Sequence, residues 1–274
     1  MKNRIDLRFD ELRPAGRRGL IPFFTAGDPL ADSTVPLMHA LVRGGADLLE
    51  LGIPFSDPMA DGPVIQASSE RAIKRGVSLR SILDMVADFR RDDSQTPVIL
   101  MGYMNPVERM GYAEFATAAG GAGVDGLLLV DCPPEEAGVL RQRLMEKQIH
   151  QIYLVAPTTT DARCQSICQV AGGFIYYVSL KGITGAQASN ESGLAEHIAM
   201  IRSHSELPVA VGFGIKDGHS AALAAQAADA VVLGSALVER LQACDSLESA
   251  CRAAEVFVAN LRSALDNVDN AIAC

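Results

Sequence analysis

Eight short apolar runs, each followed by a stretch of helical period or a small-residue turn, limit what this chain is able to fold into. The runs are Leu20–Thr25, Leu48–Leu51, Val98–Tyr103, Asp125–Val130, Gln151–Val155, Phe174–Ser179, Val209–Phe213 and Ala230–Leu233. Most are unbroken rather than alternating, the pattern of strands buried on both faces. The amphipathic segments between and after them are Ser33–Gly44, Ser78–Arg91, Tyr112–Ala119, Pro134–Lys147, Asp161–Ala171, Gly193–Ser203, Gly218–Ala227 and Leu247–Val268. Repeated strand–helix alternation predicts parallel pairing with right-handed crossovers. Eight such units in a chain of 274 residues predict an α/β fold, a closed (β/α)8 TIM barrel, as one domain over residues 1–274. A doubly wound open sheet is the competing arrangement. The barrel is preferred on the count of eight and because no GxGxxG follows the first run. Leu7–Pro14 precedes the first strand and reads as an extra N-terminal helix across the barrel bottom. A short phosphate-binding helix is expected after strand eight. The related stretches GGADLLEL, GAGVDGLLLV and AADAVVLG mark entry from helix to strand.

Bulk properties narrow the function classes. Hydrophobic residues make up 49% of the chain, enough for a large core. The formal net charge of −9 and the lack of a basic patch argue against nucleic acid and against an anionic membrane as main partner. A small anion is still compatible, because backbone N–H groups bind phosphate without net positive charge. The charged N-terminus MKNRIDLRFDELR has no apolar signal core, and no apolar run is long enough to span a bilayer. A cytoplasmic location is expected, with its cysteines, at 132, 164, 168, 244, 251 and 274, as free thiols.

The stretch ELGIPFSDPMADGP, Glu50 to Pro63, carries Glu50, Asp57 and Asp61 and no Lys or Arg. Glu50 lies near the C-terminal end of the second run. If Leu49 and Leu51 face the helices, Glu50 faces the barrel interior toward its mouth. Desolvation there would raise its pKa and suit it to giving and taking protons. The plainer alternative is a salt-bridged or surface Glu at a strand end. Asp57 and Asp61 fall on the following loop, bent by Pro54, Pro58, Gly62 and Pro63. For either acid, simple turn chemistry or a helix N-cap accounts for the spacing as well as a role in chemistry does.

The loops after strands seven and eight, GFGIKD and LGSALVER, carry Gly214 and Gly234, with Ser235 at a helix start. That combination is the phosphate site of many barrels. Phe23, Tyr103, Tyr176 and Phe213 sit at strand ends, as candidates for lining a flat apolar pocket or as ordinary core. The histidines, at 39, 150, 197, 204 and 219, are not placed as catalytic bases, and no cluster of His, Asp and Glu suggests a metal. Residue chemistry alone thus points to a barrel using carboxylates on a phosphate-bearing ligand.

FFTAGDP (Phe23–Pro29), Glu50–Gln66, MGYMNP (Met101–Pro106), DCPPEE (Asp131–Glu136), KGITGA (Lys181–Ala186) and GFGI (Gly212–Ile215) together resemble the tryptophan synthase alpha subunit family. The resemblance runs in order over essentially the whole chain. It implies a TIM-barrel lyase that cleaves indole-3-glycerol phosphate to indole and glyceraldehyde 3-phosphate by a retro-aldol step, without metal or organic cofactor. By motif it assigns Glu50 as general acid–base. Asp61 would hold the indole N–H and stabilise the developing positive charge. Phe23 and Tyr103 would line the indole pocket, with Tyr176 near Glu50. Gly185, Phe213, Gly214, Gly234 and Ser235 would cradle the phosphate, and Thr184 would bond Asp61 when its loop closes. Pro54, Phe55 and Asp57 would contact a beta subunit in an alpha2beta2 heterotetramer that receives the indole. Leu180 and Lys181 occupy loop positions that vary in the family, which leaves the closing contacts of that loop open. Two rival readings remain. One is a related phosphate-handling barrel with another catalytic set. The other is a non-catalytic partner protein, against which the presence of both Glu50 and Asp61 argues.

Overall fold

A computed structural model describes residues 2–178, 187–212 and 214–272. The strands are β1 (Gly19–Thr25), β2 (Leu49–Gly52), β3 (Val98–Gly102), β4 (Gly126–Leu129), β5 (His150–Val155), β6 (Ile175–Val178), β7 (Val209–Gly212) and β8 (Ala230–Leu233). The helices of the first half are α1 (Arg4–Leu12), α2 (Thr34–Arg43), α3 (Pro63–Lys74), α4 (Leu79–Phe89), α5 (Met104–Met110) and α6 (Tyr112–Ala122). Those of the second half are α7 (Gly138–Glu146), α8 (Asp161–Cys168), α9 (Gln187–His204), α10 (Gly218–Ala225), α11 (Ser235–Gln242) and α12 (Leu247–Ile272). All strand pairs are parallel, in sequence order, and β8 closes on β1. The open sheet is excluded.

Strand alternation produces two cores. Residues such as Leu49, Leu51, Leu100 and Val231 face outward into the layer between strands and helices. Ile21, Leu48, Ile99, Leu128 and Ile152 point inward and meet Ile5, Phe9 and Leu12 of α1, which plugs the bottom. Phe9 packs on Phe174 with ring centroids 6.0 Å apart. The N-terminal helix thus covers the bottom as expected but begins earlier than Leu7. Asn3 caps it, accepting from the Ile5 and Asp6 N–H groups, while Asp6 accepts from Asn3 N–H.

The repeated aspartates at the helix-to-strand entries have a common job. Asp47, Asp125 and Asp229 each accept a hydrogen bond from the first residues of another strand: Leu20 N–H at 2.9 Å, Val98 N–H at 2.9 Å and Val209 N–H at 2.8 Å. Each also meets an arginine, Arg262, Arg90 and Arg202 respectively. The carboxylates satisfy backbone donors that would otherwise be buried without partners.

Two helices lie outside the segments expected from periodicity, α3 and α5. The buried face of α3 includes Ser68 and Ser69 beside Ile65 and Ala72, so its apolar stripe is interrupted by hydroxyls. α5 is a short helix started at Tyr103, where a strand continuation was expected. The segment expected as helix from Pro134 begins instead at Gly138.

Candidate active site

The barrel mouth is where the C-terminal strand ends meet, and Glu50 stands inside it. It is in register with Phe23 of β1 on one side and Ile99 of β3 on the other. Leu49 and Leu51 face the helix layer, so strand alternation turns Glu50 inward. The residue is 1% exposed, and neither carboxylate oxygen has a hydrogen-bond partner among the described residues. Burial lifts its pKa from 4.5 to about 8, and the nearby Asp61 charge adds to the lift. At neutral pH this carboxyl carries a proton. The salt-bridged alternative therefore fails for this residue.

Asp61 sits at the end of the loop after β2, half-buried, with α3 beginning two residues later. The N-cap of that helix is Gly62, so Asp61 is not the cap. Its carboxylate accepts a hydrogen bond from the Tyr103 hydroxyl at 3.0 Å, and that hydroxyl accepts the Ala60 N–H at 3.0 Å. Burial pushes the Asp61 pKa up, and the Tyr103 hydrogen bond pulls it partly back. Burial raises the Tyr103 phenol as well, so it keeps its proton and remains a donor. Phe55 packs on the Tyr103 ring at 5.1 Å between centroids. The loop acids are thereby divided: Asp61 turns inward, while Asp57 is exposed and bonded to the Ser56 hydroxyl.

A small cavity lies beside Asp61 and Tyr103. Phe23, Ile53, Ile65 and Met101 form its apolar wall, and Asp61 and Tyr103 supply its polar edge. Thr25 and Ser69 also line it; neither stood out in the sequence, because an isolated hydroxyl residue has no distinguishing spacing. Tyr176 lies inward on β6, held strongly neutral by burial and by the neighbouring Glu50 carboxyl. Its hydroxyl lies over Gly212, where a Cβ would come within 2.1 Å. The bare backbone of β7 is what makes room for this ring.

The phosphate candidates divide between described and undescribed residues. Gly214 is exposed at the end of β7 with φ +79°, a conformation suited to glycine. Gly234 is the N-cap of α11, and Ser235 opens that helix, exposed to solvent. The first N–H groups of a helix have no intrahelical acceptor and lie at its positive end. Thr184, Gly185 and Phe213 lie outside the described residues, as do Leu180 and Lys181. Of the candidate partner-facing residues, Asp57 is exposed and Phe55 half-buried, but Pro54 is buried within the chain. Met59, 81% exposed, is an apolar side chain on the same loop that sequence reasoning passed over.

Other hollows carry less chemistry. One, about 650 Å³ between α9 and α10, is lined by Leu194, Ile198 and Leu223 on the outside of the barrel. It holds no carboxyl among its lining residues. Among the described residues no group of three or more His, Cys, Asp and Glu is placed to hold a metal.

Comparison with known proteins yields a consistent set of likenesses. The family model described as tryptophan synthase alpha chain matches residues 9–266. The tryptophan synthase alpha chain of Thioalkalivibrio sulfidiphilus is 56% identical over 265 residues, covering 96% of this chain and 100% of that relative. The alpha chain of Laribacter hongkongensis is 55% identical over 264 residues, covering 96% and 99%. Among solved structures, tryptophan synthase subunit alpha from Legionella pneumophila superimposes with a TM-score of 0.89 at 44% identity, covering 97% of this chain and 100% of that one.

Proposed function

The chain belongs to the tryptophan synthase alpha chain family, and from that membership we propose that Glu50 and Asp61 carry the family's reaction here. The chain is a carbon–carbon lyase of L-tryptophan biosynthesis that cleaves indole-3-glycerol phosphate to indole and glyceraldehyde 3-phosphate. The observation that carries the residue assignment is the state of Glu50: buried, without a hydrogen-bond partner among the described residues, and protonated near neutrality.

Cleavage requires a proton to reach indole C3 and another to leave the hydroxyl on the carbon attached to it. Glu50 enters protonated and gives its proton to C3. The ring then holds positive charge at its nitrogen. Asp61, as a carboxylate, accepts the indole N–H and offsets that charge. Glu50, now charged, takes the hydroxyl proton. The carbon–carbon bond breaks, its electron pair returns to the ring, and the oxygen becomes the aldehyde carbonyl. One carboxyl changes state twice and ends as it began. The protonated ring is the electron sink, so no cofactor enters this scheme. Phe23 and Tyr103 would flank the indole. Gly214, Gly234 and Ser235, with Gly185 and Phe213, would hold the phosphate, and Thr184 would meet Asp61 on closure.

Family membership implies a beta subunit as partner. An alpha2beta2 assembly, contacts through Phe55, Asp57 and exposed Met59, and passage of indole to the partner belong to the same proposal, as does a cytoplasmic location. The test is indole release from indole-3-glycerol phosphate by the purified chain, alone and with a beta subunit. Slow release that rises with the partner is expected. Glu50→Gln and Asp61→Asn should each lower kcat on the order of a hundred-fold or more, with substrate still bound. Full activity in either variant would remove that residue from the assignment.

A further inference from the structure

Asp61 closes the loop after β2, and the next element, α3, is tied to the loop after β1 by a set of polar contacts. Asp28, 3% exposed, receives a two-pronged hydrogen bond from Arg71: Nε to Oδ1 at 2.8 Å and Nη2 to Oδ2 at 2.8 Å. Arg75, one turn further on, donates Nη1 to Asp28 Oδ1 at 3.1 Å and to the Gly27 carbonyl at 3.0 Å. One turn before Arg71, Ser68 lies 2.6 Å from Thr25 at the end of β1. Ser68 also reaches the Ile65 carbonyl at 2.9 Å, so the Thr25 hydroxyl supplies the proton between the two side chains. Positions 68, 71 and 75 share one helix face. That face is polar and aimed at the strand next to the one that carries Glu50.

This arrangement does more than close a seam. A surface pair between flexible side chains has loose geometry. A planar guanidinium matched to a buried carboxylate through two parallel bonds fixes both orientation and distance.

We propose that Asp28 and Arg71 are positioning residues for the Asp61 carboxylate: their bidentate pair sets the register of α3 against β1 and thereby holds Asp61 at the Tyr103 hydroxyl and the Glu50 pocket. The inference rests on the assignment of Asp61 to the reaction. Arg71→Lys keeps the charge and loses the fork, and it is the informative variant. It should lower kcat about ten-fold with KM changed less than two-fold. Introduced into Asp61→Asn, it should lower the residual rate less than two-fold, because a positioning residue has nothing left to position.

Hydrogen exchange supplies a readout independent of turnover. Amides of residues 57 and 59–62 should exchange faster in Arg71→Lys, with β4 and β5 unchanged. An equal ten-fold loss in the two backgrounds would show a general structural effect and overturn the proposal. So would unchanged exchange at 57 and 59–62. If Asp61→Asn alone retained full activity, the underlying assignment would fall and this inference with it. If Asp61→Asn is impaired but Arg71→Lys is not, only the inference falls.

Discussion

At the scale of single residues, the site depends on one carboxyl placed where it cannot be solvated. Glu50 has Leu49 and Leu51 on the opposite face of its strand, and its own face looks into a mouth lined by Phe23, Met101 and Tyr176. Its proton is therefore linked to stability. The folded-state pKa of about 8 lies above the ordinary 4.5. Below 4.5 both folded and unfolded chains carry the proton, and there is no penalty. Between 4.5 and 8 the unfolded chain releases it first, so stability falls as pH rises, by about 1.4 kcal/mol per unit from this group. Above 8 the cost is complete. Thermal melts of Glu50→Gln and the parent should diverge in favour of the variant from pH 5 to pH 8. A melting difference that stays flat over that range would contradict the buried, protonated carboxyl. The same proton sets the alkaline limb of kcat/KM, which should fall with an apparent pKa near 8.

At the scale of elements, most of the architecture was legible from periodicity, and the exceptions have identifiable causes. The eight strands fall within a residue or two of their apolar runs, because a strand buried on both faces has no polar interruption to blur it. α3 was not legible. Its inward face uses Ser68, Ser69 and Arg71, and the partners of Ser68 and Arg71, Thr25 and Asp28, lie 43 residues away in sequence. No local pattern announces a helix that buries polar groups against a distant strand. The short helix after strand eight was expected, and α11 opens at Ser235. Its positive end implies a charge test: Ser235→Glu should raise KM for the phosphate-bearing substrate roughly ten-fold by like-charge repulsion, with kcat little changed. An unchanged KM would place the phosphate elsewhere.

At the scale of the whole molecule, the barrel separates stability from chemistry along its axis. The bottom is closed by α1 and by the aspartates at the helix-to-strand entries, each bound to backbone and arginine. The mouth carries Glu50, which has no hydrogen-bond partner among the described residues. Asp125, one of the bottom set, accepts from Val98 N–H, Arg90 and Arg4. Removing it leaves the mostly buried Arg90 guanidinium with backbone carbonyls of Gly123, Asp93 and Thr96 but without its carboxylate partner. Asp125→Ala should destabilise the chain by about 3–5 kcal/mol in denaturant melts. Retained protein at low temperature should keep near-parental kcat, since the residue is remote from the mouth. A large kcat loss in folded protein would show that the two ends are not independent.

The order of the strands and of most helices, the preference for a parallel barrel and the acidic loop after β2 were legible in the sequence, because each follows from residue period and local turn chemistry within a few positions; α3, α5 and the closure of β8 on β1 were not. The partner of Asp61, the bonds of the repeated aspartates, the burial of Pro54 and the clamp of Asp28 on α3 were decided only by tertiary structure. These are contacts between segments far apart in the chain. Their energetics depend on distance, orientation and exclusion of water, quantities that exist only once the barrel has closed.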